Sequence, residues 1–176
     1  MIAKKVPVVK FGYPKHWFAT GTALWAVGTL VFAYLGITAV EDFSRAFWLV
    51  VAAVEGAGLF HMFVLPLFTS HSAGAKELRL RMGLLLRESI PYDWIKDVGQ
   101  TAIRWGGVRV GIGVRYAGIM QTLFVTSSFQ GLVTIELDQE HRLGGLLKRP
   151  VRKVVLSVRS PKPLVDLLRE RAGLPE

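Results

Sequence analysis

The chain's 176 residues are 51% hydrophobic, carry a formal net charge of +9 and include no cysteine. Disulfides, thiolate metal sites and cysteine nucleophiles are therefore excluded. A mean hydropathy of +0.37 is high for a soluble domain, and the length suits a small membrane part joined to a small soluble part.

Residues 1–16 form a basic lead-in. Lys4, Lys5, Lys10 and Lys15 stand there without an acid, and Pro7 and Pro14 oppose a long helix. Tyr13, Trp17 and Phe18 follow as an interfacial aromatic belt. From Trp17 to Val40 no residue is charged, which predicts a first transmembrane helix. No small-residue cleavage site follows it, so it reads as an uncleaved anchor. A short loop with Glu41, Asp42 and Arg45 leads to a second apolar stretch, Ala46 to Phe68, interrupted by ionisable groups only at Glu55 and His61. About 20 apolar residues suffice to cross a bilayer, so residues 17–70 read as a two-helix transmembrane hairpin with a possible kink at Pro66. The flanks are basic and the loop is not. By the positive-inside bias, both termini are expected in the cytoplasm and the protein in the cytoplasmic (inner) membrane.

Beyond residue 70 the apolar period changes from helical to two. Leu78 and Leu80 alternate with Arg79 and Arg81, and Val133, Ile135 and Leu137 with Thr134, Glu136 and Asp138. Seven strands are expected near residues 76–82, 84–89, 92–99, 107–116, 119–126, 131–138 and 151–158. Ser160 and Pro161 then open a closing amphipathic helix that shows Leu164, Leu167 and Leu168, with Gly173 as its stop. Residues 71–176 thus form a cytoplasmic β-domain. The run GLLLRESIPYDWIKDV, residues 83–98, resembles the "G…IP…I..V" stretch of bacterial membrane-anchored pleckstrin-homology-like (PH-like) proteins. The run VRKVVLSVRSPKPLVDLLRE, residues 151–170, resembles their last strand, Ser-Pro turn and closing helix. That resemblance implies an α+β PH-like domain, a seven-stranded antiparallel barrel or sandwich with a C-terminal helix. It transfers no catalytic residue.

Four groups of residues are candidate sites. Ala53, Gly56 and Ala57 recur at helix-packing spacing. Glu55 and His61 are expected to be buried polar groups in the membrane, although six residues apart they fall on different helix faces. Ala57-Gly-Leu-Phe-His61 resembles the small-xxx-His pattern of bacterial light-harvesting polypeptides, which implies a metal-centred chlorin (bacteriochlorophyll) or haem at His61. A plain interhelical hydrogen bond is the competing account, under which no cofactor is expected. Lys148, Arg149, Arg152 and Lys153 form a basic cluster suited to anionic lipid headgroups or a protein partner, or to bulk solvent. No nucleic acid is expected, since no aromatic-studded RNP-like run occurs. Neither HxxxH, HExxH nor a G-x-S-x-G elbow occurs, and Gly111-Ile-Gly113 is followed by strand pattern where a phosphate loop needs a helix. The expectation is a non-catalytic accessory subunit of a larger membrane complex, photosynthetic or respiratory, with other integral membrane subunits as partners. The alternatives are a free-standing membrane adaptor and a pigment- or haem-binding protein.

Overall fold

The computed structural model describes residues 7–101, 104–105, 108–109, 112–145 and 148–175. Two compact units result, and each is taken by itself.

The helical unit spans 15–68. It comprises α1 (His16–Thr38), α2 (Asp42–Leu59), a π turn (Phe60–Val64) and the single turn α3 (Leu65–Leu67). Both His16–Thr38 and Asp42–Leu67 are long and apolar enough to cross a membrane. Hydroxyls on α1 are satisfied internally, with Thr22 donating to Phe18 O, Thr29 to Trp25 O and Thr38 to Tyr34 O. Arg45 closes the connection by donating to Ala39 O at 3.1 Å and pairing with Asp42 at 3.5 Å. The helices meet through glycines that the sequence reading passed over. A methyl group on Gly36 would lie 2.9 Å from Leu49, and one on Gly21 only 2.2 Å from the Phe63 ring. Phe32 stacks on Trp48 and Trp25 tilts against Phe63, with centroids 5.7 and 5.3 Å apart. Where a kink is expected near Pro66, the structure has a π turn just upstream, Phe60–Val64. Pro66 has no N–H and its ring crowds the carbonyl four residues back, and the helix widens upstream so that Leu65 N–H bonds to Phe60 O.

The second unit contains residues 69–175 together with the lead-in from Pro7 to Pro14. The lead-in is not a separate segment: it supplies β1 (Val9–Phe11). This strand pairs antiparallel with β2 (His71–Ala73), and β3 (Glu77–Met82) and β4 (Leu86–Pro91) complete a sheet in the order β1-β2-β3-β4. A 3-10 turn, Tyr92–Trp94, leads to β5 (Ile95–Gln100). A two-stranded ribbon follows, β6 (Arg104–Trp105) with β7 (Val108–Arg109). The remaining strands are β8 (Gly113–Ala117), β9 (Thr122–Thr126), β10 (Leu132–Leu143) and β11 (Arg149–Ser157). They join β5 in a five-stranded sheet ordered β5-β10-β11-β9-β8. Helix α4 (Pro161–Ala172) closes the chain.

Alternation explains the core. In β3 and β4 every second residue is buried, giving Leu78, Leu80, Met82, Leu86 and Ile90. Val98, Leu123, Val125, Val133, Ile135, Val154 and Leu156 from the larger sheet are also buried. On α4 the buried residues are Leu164, Val165 and Leu168, whereas Leu167 is half-buried.

Three expectations are corrected. The sheets do not close into a barrel, and they are not wholly antiparallel: β11 runs parallel to β9, with Val154 opposite Leu123 and Val155 opposite Phe124. Alternation fixes which face a residue takes but not which strand lies beside it. The single strand expected over 107–116 is instead β7 and β8, with 110 and 111 outside the described residues.

Replacing Leu168 by Ala should cost about 2–5 kcal/mol in denaturant unfolding of the full chain in detergent. Leu167→Ala, at a half-buried position, should cost clearly less. Gly131 sits at φ 64 where an added methyl would lie 2.1 Å from Val158 O, so Gly131→Ala should lower the midpoint as well.

Candidate functional site

The expected site residues on α2 separate into two faces. Gly56 is half-buried and faces α1, where a methyl group would meet Thr29 Cγ2 at 3.6 Å. Ala53 and Ala57 are exposed and take no part in the α1 contact; Ala52 is the buried small residue there. The proposed packing trio is therefore split, one residue inside the hairpin and two outside.

Glu55 and His61 also part company, and neither is buried. Half-buried Glu55 lines a hollow of about 320 Å³ with Leu24, Trp25 and Gly28. Trp25 Nε1 is buried and has no hydrogen-bond partner among the described residues. His61 lies on the exposed side. Its Nδ1 is 2.9 Å from Ala57 O, and since a carbonyl only accepts, Nδ1 carries the proton. That tautomer leaves the Nε2 lone pair free, the arrangement common in metal-ligating histidines whose other nitrogen bonds a backbone carbonyl. Among the described residues, no three His, Asp or Glu side chains gather as a metal-ion site.

The basic cluster does not act as one patch. Lys148 Nζ sits 2.8 and 2.9 Å from the two oxygens of buried Glu88, which also accepts from Gly145 N–H at 2.7 Å. Lys153 pairs with Glu136. Of the four, only Arg149 and Arg152 are outside any ion pair among the described residues, and both are exposed. Residues in β4 and β10 capture these cations, and no local pattern around 148–153 could have revealed that.

A polar knot that the sequence reading missed lies where the lead-in meets the segment after the hairpin. Tyr13 is fully buried, its hydroxyl 2.6 Å from Thr69 Oγ1, and its ring is 5.3 Å from that of His71. Thr69 Oγ1 also accepts from Gly83 N–H at 3.0 Å. Burial raises the Tyr13 pKa above its usual value, and the Thr69 hydrogen bond opposes that. His71 is wholly buried, and Nδ1 accepts from Arg81 N–H at 3.3 Å. The proton then belongs on Nε2, which has no partner among the described residues. Desolvation lowers the His71 pKa to about 4. A second histidine, His141, stacks on Trp94 at 3.8 Å and bonds Asp138 at 2.8 Å. That bond holds the Asp138 carboxyl below its ordinary pKa.

His71 sets a pH dependence. Its folded pKa lies below the unfolded value of about 6.5, so its contribution is complete above pH 6.5 and is lost as pH falls towards 4. Unfolding measured across that window should show a loss of about 3 kcal/mol, absent in His71→Gln, whose amide oxygen can still accept from Arg81 N–H.

Comparison with family models, with curated proteins and with solved structures finds no match to this chain.

Proposed function

We propose that this chain is a non-catalytic accessory subunit of a larger membrane protein complex. It is anchored in the cytoplasmic membrane by the α1–α2 hairpin and carries a PH-like β-unit in the cytoplasm. The observation that carries the reading is the division of labour on α2. The hairpin's own contact is supplied by Gly21, Gly36, Ala52 and Gly56, while Ala53 and Ala57 form a stripe whose side chains are exposed. In a bilayer, small residues on an outer face favour close approach of a neighbouring helix. The antiparallel pairing of Phe11 with His71 supports the proposed topology, because a chain that crosses twice returns to the side it left.

A second reading is favoured by His61: a tetrapyrrole metal held by Nε2, with Ala57 leaving room one turn earlier. Replacing His61 by Gln separates the two. It should leave complex assembly nearly intact under the accessory reading, and should abolish a co-purifying visible absorption band under the pigment or haem reading.

Ala53→Leu and Ala57→Leu should detach the chain from its partners when membranes are extracted in mild detergent and weighed by native mass spectrometry. Unchanged complexes would refute the accessory reading. A reporter active only in the cytoplasm should work at either terminus, since the basic flanks favour that side. Activity at Glu176 of a reporter that works only outside would overturn the topology.

A further inference from the structure

The β3–β4 turn breaks two rules of surface design at once. Its residues are Gly83, Leu84 and Leu85, with Gly83 at φ 57. Turn tips are ordinarily polar, yet Leu84 and Leu85 are 51% and 44% exposed. Directly behind them, Arg81 and Arg87 face one another as cross-strand partners on the exposed side of the sheet. Like charges in that register repel, and neither side chain has an ion-pair partner among the described residues. The nearby acids are occupied: Glu77 bonds Arg79 at 2.6 Å, and Glu88 is buried under Lys148. Arg79, Arg81, Arg87 and Ser89 line an open hollow of about 270 Å³ together with Glu77 and Glu88.

An apolar tip backed by a pair of uncompensated cations has one natural counterpart, an anionic bilayer surface. Leucines enter the acyl boundary while guanidinium groups stay at headgroup level and bridge phosphates. Gly83 N–H bonds the hydroxyl of Thr69, which fixes the turn within its own unit.

We propose that the Gly83–Leu85 turn, with Arg81 and Arg87, is a second membrane contact of this protein that inserts into anionic lipid. It lies apart from the 148–153 cluster and rests on the membrane reading of the hairpin. The arginine pair then loses its mutual repulsion on binding, and each cation contributes about fivefold to partitioning.

The absence of cysteine makes the test direct. The full chain carrying Leu84→Cys, labelled with an environment-sensitive fluorophore, is reconstituted into vesicles of phosphatidylcholine with or without phosphatidylglycerol. Val54→Cys on α2 and Lys162→Cys on α4 are labelled as controls. The expected result is quenching of the position-84 label by a lipid-borne quencher in anionic vesicles only. It should be lost at 1 M salt and in Arg81→Gln/Arg87→Gln, with position 162 unquenched throughout. A position-84 label that stays unquenched, or is blue-shifted without lipid quenching as against a protein partner, overturns the proposal. So does quenching that ignores lipid charge and the arginine changes. The position-54 label reports separately: if it escapes the quencher, the hairpin itself is not in the bilayer, and the membrane reading fails on its own account.

Discussion

The two stretches of chain on either side of the helical unit are joined by a ladder three residues long. Val9, Lys10 and Phe11 pair with Ala73, Ser72 and His71, although roughly 60 residues lie between the two strands. Closing so long a loop costs entropy that three ladder positions alone would barely offset, and the offset comes from two sources. The intervening residues form their own compact helical hairpin, which shortens the effective loop. Tyr13 and Thr69 then add a part-buried hydroxyl pair near the ends of the loop. The same ladder makes β1 the edge of the four-stranded sheet and places β2 between β1 and β3.

Beside that ladder the closing helix is tied down by arginine. Arg171, in the last turn of α4, donates to Gly74 O, to the Tyr92 hydroxyl at 3.1 Å and to Pro7 O at 3.3 Å. Its guanidinium also sits 5.9 Å from the Tyr92 ring centroid. Arg169 adds a bond to Val98 O at 3.0 Å. Helix α4 is thus bound by charge-assisted hydrogen bonds along one flank and by Leu164, Val165 and Leu168 beneath. Arginine suits this role because its planar fork reaches several acceptors without changing protonation state.

The helices were legible because long apolar stretches with few charges favour a long helix, and the strands because a period of two is set by the backbone itself. Partnership was not legible. Nothing near Lys148 announces Glu88, 60 residues away, and nothing in β9 announces that its neighbour β11 runs parallel to it. The small residues illustrate the limit well. Ala53 and Ala57 have the same spacing as Ala52 and Gly56, yet only the second pair faces α1. A one-residue shift turns a helix face by about 100°, and sequence spacing alone does not say which stripe finds a partner. Leu167 was expected in the core beside Leu164 and Leu168, but the placement of α4 favours Val165. His71 was overlooked because no neighbouring residue hints that it would be fully buried.

The β1–β2 ladder also dictates an order of events during synthesis. Strand β1 leaves the ribosome first but has no partner until the chain has been made through Ala73, after both apolar helices. Its exposed backbone must wait while those helices find their own environment, and only then can the sheet grow from its oldest strand. The bond from Arg171 to Pro7 O comes later still, spanning 164 residues. The second unit is therefore closed only after α4 has been made, and a nascent chain halted before α4 would carry an open core.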